Sequence, residues 1–478
     1  MKARQLEDGT IKTFNRVPKR LDKVIGGFDT LSDSELESFG LYDVVTPVIK
    51  ESQKLGAIEW SEQYSVFLYP VENKEFSQSL AEMKAQKIEN LKAIYLVGAV
   101  ISGLIFYLII AILIISFIAD KILDTLNEQH FDDEIPDKLI DVYDANDYKK
   151  SQSYKKTSAK FSNITSYLTT GLTLAFFLAD GFKYLDIFAR THTDNPILVA
   201  IIFFGVIILG SEIASTPISY YSTFVIEERF GFNKTTKKTF ILDKLKGWLM
   251  MIVLGGGILA LIIWFYQISG AQFWLYAWVL VAVVSIFMNM FYSKLIVPLF
   301  NKQTPLNDGE LKTEIENFGK KVGFKIENIF VIDGSKRSTK ANAYFSGFGR
   351  EKRVTLYDTL INDLDEEEIV AVLAHEVGHY KKKHIIFNLV TSILLTGLTL
   401  YILSLFINNP LLSNAIGVEI PSFHIGLIAF GLLYSPISEI TGLIMNVFSR
   451  KFEYQADDYA KNTFKAEPLI TSLKKLSK

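Results

Sequence analysis

Six consecutive residues, Ala374-His375-Glu376-Val377-Gly378-His379, carry the side chains best suited to chemistry in this chain. Two histidines stand four positions apart, and a glutamate directly follows the first. On a helix, four residues make a little over one turn, so both imidazoles share a face. Two neutral imidazoles at that spacing can grip one zinc ion. Glu376, about a third of a turn round, can take a proton from a water activated beside them. The chemistry open to such a set is metal-assisted hydrolysis. A pair of ordinary core or surface histidines would show the same spacing, so the surrounding residues decide between the two.

The elements that must position these groups can be read on either side. Asp365 precedes Glu366-Glu367-Glu368 and an apolar run, Ile369-Val370-Ala371-Val372-Leu373. Asp365 with Glu368 predicts an N-cap and capping box, and the acidic first turn suits the positive end of a helix dipole. Upstream, residues 311–322 have helical spacing, and residues 329–332, 342–348 and 353–357 read as strands. Residues 337–340 form a loop and residues 347–352 the last turn. The exposed edge of a strand just ahead of a zinc helix can pair with an extended peptide, which makes Asn342, Ala343, Tyr344 and Phe345 candidate substrate contacts. A sheet that merely supports the helix would read the same way.

Catalytic zinc usually takes three protein ligands and leaves one position open. The chain has no cysteine, so the third must be a histidine or a carboxylate. Of the other histidines, His384 lies five residues past His379, on another face of a continuing helix, and His424 falls on the far membrane side. Glu453 and Asp457, four apart beyond the last apolar segment, share a helical face. Glu453 is the expected third ligand. Asp457 is expected to accept a hydrogen bond from a ligating imidazole and fix its tautomer. Without the upstream motif, this stretch would pass as an ordinary acidic amphipathic helix.

Chain length allows two or three domains, and 49% hydrophobic content with a mean hydropathy of +0.23 points to the membrane. Fifty basic residues balance 52 acidic ones, which implies no nucleic-acid partner. Apolar segments at 93–119, 164–188, 196–224, 247–269, 273–300, 385–406 and 425–447 read as seven spans, each near or above the roughly 20 residues a crossing needs. Asp180, Glu212 and Glu439 interrupt them, and such charges should face a wet, protein-lined interior or snorkel at an interface. Lysines and arginines crowd the loops after the first and third spans and are missing after the fourth and sixth. The zinc motif and the carboxyl end are therefore expected on the cytoplasmic side. By the same count, the amino-terminal region lies outside, despite its own lysines.

The chain thus divides into residues 1–92, a small, mostly β soluble module with a helical connector and no cleavable signal peptide, and four further parts. These are spans one to five with their loops at 93–300, the zinc insertion at 301–384, the last two spans at 385–447, and a helix with the third ligand at 448–478. The fold class expected is mainly α: a seven-helix bundle with a cytoplasmic zincin-like α/β insertion. The pattern around Gly26-Gly27-Phe28, Phe39-Gly40, Val45-Thr46-Pro47 and Tyr69-Pro70-Val71 faintly resembles a small module of phage structural proteins.

From about residue 91 onward, the chain resembles the integral-membrane CAAX prenyl proteases, seven-span zinc metalloproteases. The resemblance rests on matches in the right order: Val225-Ile226-Glu227-Glu228-Arg229-Phe230-Gly231-Phe232-Asn233-Lys234, Ile296-Val297-Pro298-Leu299-Phe300-Asn301-Lys302, Ser335-Lys336-Arg337-Ser338, Asn342-Ala343-Tyr344-Phe345, the zinc motif, and Phe452-Glu453-Tyr454-Gln455-Ala456-Asp457. It implies a water-filled chamber with a zinc site at its cytoplasmic cap, and removal of the last three residues from a prenylated cysteine peptide. His375, His379 and Glu453 are then the ligands, Glu376 the base, and Asn342 a neighbour of the substrate strand. The endoplasmic reticulum would be the site in a eukaryote, the inner membrane in a bacterium. The resemblance also implies a His and an Arg past Glu453 that stabilise the oxyanion. None follows here, so the sequence is expected to stop short of them, and losing one such donor typically costs about 10²–10³ in rate. Two rival readings remain at this point: a quality-control protease cutting misfolded membrane proteins with the same site, and a non-hydrolytic membrane scaffold or transporter with structural zinc.

Overall fold

A computed structural model describes residues 2–5, 11–14, 59–61, 66–68, 74–131, 134–135, 140, 144–324, 328–347 and 352–476. It divides into two compact units, residues 1–100 and 101–478. In the first, β1 (Lys2–Gln5) pairs antiparallel with β2 (Ile11–Phe14), and β3 (Glu59–Ser61) with β4 (Val66–Leu68). The Gly26, Phe39, Val45 and Tyr69 patterns lie outside the described residues. A 55-residue helix, α1 (Lys74–Glu128), runs without a break from the expected connector into the first apolar segment.

The second unit is built from long helices: α2 (Ala145–Leu178), α3 (Gly181–His192), α4 (Pro196–Tyr221), α5 (Lys237–Met250), α6 (Gly256–Ser269) and α7 (Phe273–Leu295). Local signals start them where the chain requires. The Asn195 side chain accepts from the amides of Ile197 and Leu198, with Pro196 in the first turn of α4. Among the described residues, five stretches are long and apolar enough to cross a membrane: Leu96–Glu128, Pro196–Phe230, Lys237–Phe300, His384–Phe406 and Phe423–Thr463.

That count differs from the seven spans expected, for two reasons. Lys237–Phe300 holds two expected spans in one 64-residue stretch, separated only by a 3-10 turn at Gly270–Gln272. The expected span 164–188 is not among the five. Its residues are divided between α2 and α3 by Asp180, whose backbone is left-handed (φ 52°). The α2 part is also rich in hydroxyls, and Thr169 and Thr173 bond back to carbonyls four residues earlier. Of the three acids that interrupt the expected spans, Glu212 and Glu439 have hydrogen-bond partners. Glu212 accepts from Lys244 at 2.9 Å and Trp248 at 3.1 Å, and Glu439 from Ser116 at 3.1 Å.

Between α7 and the next apolar helix the chain folds into an α/β insertion. Its sheet has the order β5 (Gln303–Pro305), β6 (Ile329–Ile332), β8 (Arg353–Tyr357), β7 (Ala343–Ser346). Only the β6–β8 pair is parallel, and β7 ends the sheet. Helix α8 (Glu310–Lys321) and the motif helix α9 (Glu366–Lys381) cover it around Ile315, Phe318, Leu356, Leu360, Ile369 and Leu373.

After α10 (His384–Phe406), the 41-residue α11 (Phe423–Thr463) is both the last apolar stretch and the carrier of Glu453 and Asp457. Pro436 inside it has no N–H for the carbonyl of Leu432, and Ser435 Oγ donates to that carbonyl instead, at 2.9 Å. A final helix, α12 (Ala466–Leu476), returns to the start of α9, where Lys475 donates to Glu368 at 2.7 Å and Asp365 at 3.1 Å.

Candidate metal centre

Helix α9 begins as its sequence requires. Asp365 and Glu368 close a capping box, with the Asp365 amide donating to Glu368 at 2.9 Å. The buried stripe of Ile369, Val370, Leu373 and Val377 fixes the rotation of the helix and leaves His375 and His379 on the opposite side, partly open. Gly378 sets the depth. A Cβ there would stand 3.1 Å from Ala456 Cα and 3.2 Å from the Ala456 carbonyl oxygen of α11. The absence of a side chain thus lets the two helices approach closely.

This approach brings three donors together. His375 Nε2 and His379 Nε2 are 3.1 Å apart, and Glu453 Oε2 lies 3.3 Å from the first and 3.6 Å from the second. Donors about 2.0–2.2 Å from one tetrahedral ion would lie roughly 3.3–3.5 Å from one another, so the set fits zinc in size and in donor type. Two imidazole nitrogens facing each other beside a carboxylate are better satisfied by a shared cation than by one another. His375 Nδ1 donates to Asp457 Oδ1 at 2.8 Å, which leaves its Nε2 lone pair free. Burial, with the charge of His375 adding to it, holds His379 below its ordinary imidazole value and favours the neutral form a metal needs.

Glu376 is on the same turn and carries the largest electrostatic perturbation in the region. Burial pushes its carboxyl up to about 7; nearby His375 opposes the rise and Glu453 adds to it. The candidate substrate residues lie on and beside the edge strand. Asn342 is exposed and its side chain accepts from the Ala343 amide at 2.8 Å. Tyr344 reaches Ser293 at 3.4 Å, while Phe345 packs edge-on against Tyr380 of α9.

One histidine stands where sequence reasoning did not put it. His384 was expected on another face of a continuing helix, but α9 ends at Lys381 and Lys383 turns left-handed (φ 62°). The turn swings His384, buried at 3% exposure, back to within 3.0 Å of His379. Gln455 of α11, two residues past Glu453, meets its other nitrogen at 2.8 Å. The signal was present as an i+5 histidine beside a Lys-Lys-Lys helix end. His424 lies elsewhere, buried with Asp186 at 2.7 Å.

A family model described as "CAAX prenyl protease N-terminal, five membrane helices" matches residues 125–302, and one described as "Peptidase family M48" matches residues 305–477. The CAAX prenyl protease 1 homolog of Dictyostelium discoideum is 40% identical over 336 residues, covering 68% of this chain and 79% of the relative. This chain belongs to the CAAX prenyl protease family. CAAX prenyl protease 1 of Saccharomyces cerevisiae is 36% identical over 355 residues, covering 69% of this chain and 78% of that one. The crystal structure of S. mikatae Ste24p superposes with a TM-score of 0.75 at 35% identity, covering 78% of this chain and 92% of that chain.

The chain is therefore a multi-pass integral-membrane metalloprotease, and M48 peptidases work with a bound metal, generally zinc. The M48 match spans both α9 and the Glu453 segment. The motifs that carried the resemblance also meet one another in this CAAX prenyl protease fold. Lys234 N and Thr235 Oγ1 donate to the Arg337 carbonyl, and Thr339 N to that of Phe232. Arg337 forks onto Asp243 of α5 at 2.8 and 3.0 Å, while Asn301 and the Lys302 amide hold Asp333. These contacts fix the loop that leads into β7.

Proposed function

We propose that this protein removes the carboxyl-terminal tripeptide from prenylated peptides, with His375, His379 and Glu453 holding zinc and Glu376 as general base. The observation that carries the reading is the convergence of those three donors beside a carboxyl poised near neutrality. When bound, zinc supplies a Lewis acid for the scissile carbonyl and lowers the pKa of water to about 7. Glu376 takes the proton of the attacking water and passes it to the leaving amine. Asp457 holds His375 in the ligating tautomer. The peptide lies as an added strand along β7, near Asn342, Ala343, Tyr344 and Phe345.

The wider frame follows the same reading. Residues 93–300 and 385–447 form seven crossings around a chamber, α2 and α3 together supplying the one too polar to stand out by composition. The insertion at 301–384 and the helix at 448–478 build a cytoplasmic site, in the endoplasmic reticulum of a eukaryote. Residues 1–92 are a separate soluble module. The partners are a peptide and the bilayer.

Mass spectrometry of products from a farnesylated peptide and its unprenylated control, with and without chelator, tests the assignment. Loss of three residues from the farnesylated peptide alone, abolished by chelator, is the expected result. Glu376→Gln should end turnover while zinc remains at one per chain, whereas Glu453→Ala should lose the metal. Cleavage that persists in Glu376→Gln refutes the base.

A further inference from the structure

The two expected ligand imidazoles are held from behind in different ways. His375 leans on an anion, Asp457. His379 leans on a neutral pair. Its Nδ1 faces His384 Nδ1 at 3.0 Å, and His384 Nε2 faces Gln455 Oε1 at 2.8 Å. The His384 ring is further clamped face to face on Phe452, with centroids 4.1 Å apart and planes 10° from parallel.

Two nitrogens 3.0 Å apart must share one hydrogen, so only two arrangements of this relay exist. If Gln455 presents its oxygen, His384 carries its proton on Nε2, offers a lone pair at Nδ1, and receives the Nδ1 proton of His379. The Nε2 of His379 is then unprotonated and free for a metal. If the Gln455 amide turned over, every proton would shift, and His379 Nε2 would carry a hydrogen toward Glu453 and bind nothing. The side-chain amide of Gln455 thus selects the ligating tautomer of His379 from two bonds away.

We propose that His384 and Gln455 are positioning residues for the metal centre, a relay that keeps His379 in its metal-binding tautomer. This rests on the ligand assignment above. The geometry explains why His384 follows a left-handed Lys383: without that turn, the ring would point away from α11. It also ties three elements to the metal at one point: the end of α9, the start of α10 and the last third of α11.

The test is zinc affinity of the full chain in detergent, by competition with a chromophoric chelator. His384→Phe keeps a ring on Phe452 but removes both hydrogen bonds. It should weaken zinc binding about 10–100-fold, the usual cost of losing such a partner. His384→Asn, whose oxygen can still accept from His379 Nδ1, should recover most of that loss. Gln455→Leu should weaken binding about tenfold, whereas Gln455→Glu, which can only accept, should stay near wild type. Packing alone would not separate Leu from Glu in that order. Wild-type affinity in folded His384→Phe and Gln455→Leu overturns the proposal, as do equal losses in both Gln455 variants. If His384→Phe does not fold, the half-buried Gln455 pair decides. X-ray absorption counting three imidazoles on zinc would make His384 a ligand and also overturn it. A wild-type protein that binds no zinc would instead remove the ligand assignment itself, so the two failures are distinct.

Discussion

Glu376 sits one residue from an expected ligand, in a place where its charge is poorly solvated. Its carboxyl is raised from 4.5 to about 7, with burial the main cause. A raised acid pKa is a cost to folding at high pH. Below pH 4.5 the group is protonated in both states and the cost vanishes. Between 4.5 and 7 the unfolded chain releases a proton that the folded one keeps, so stability falls as pH rises. Above 7 the cost is constant, at most about 3 kcal/mol. In chelator-treated protein, Glu376→Gln should therefore raise the thermal midpoint more at pH 8 than at pH 5, read by parallel melts. At this scale the sequence was legible where chemistry demands a spacing: His375, His379, Glu453 and Asp457 converge. It was not legible at His384, because a face argument presumes one unbroken helix and the left-handed Lys383 resets the phase.

Helices α9 and α11 bring their site residues together only if their backbones nearly touch. Gly378 is the contact, and a methyl there meets backbone atoms of Ala456 that cannot swing aside. Gly378→Ala should force the helices a few tenths of an ångström apart and destabilise the protein by about 1–3 kcal/mol, as overpacking does. Zinc affinity should fall with it, since Glu453 and the two imidazoles come from opposite sides of that contact. Competition titration alongside a melt checks both. The glycine is printed in the motif, but its use is not, because close approach depends on a partner helix some 80 residues away. The capping box and the three insertion strands, by contrast, were readable in place, since their signals are local.

At the scale of the whole molecule, hydropathy located the strongly apolar segments, and the weaker one at 164–188 is not among the five stretches long and apolar enough to cross a membrane. The α2–α3 region is polar enough to fail a length-and-composition test, yet the seven-crossing reading needs it to traverse the bilayer. The chain has no cysteine, so single introduced cysteines can be mapped without background. Replacements at Lys149 and Asp194 should label from opposite sides if α2 and α3 cross. Labelling from one side would leave six crossings. Helix α11 joins this scale to the first: 41 residues, about 60 Å, in one continuous helix that carries both the last apolar stretch and Glu453. Pro436 removes one bond from its ladder about a third of the way along, where Ser435 mends the loss. Past its buried first turns this rod exposes Ile437, Ile440, Leu443, Ile444 and Val447, within a stretch apolar enough to cross a membrane, and shortly beyond them it supplies a donor that must sit within tenths of an ångström. Hydrophobic mismatch that tilts the rod would be felt at the donor. Reconstituted into phosphatidylcholines of increasing acyl length, the enzyme should show a peaked dependence of zinc retention on membrane thickness, making the bilayer itself a tuning element of the centre.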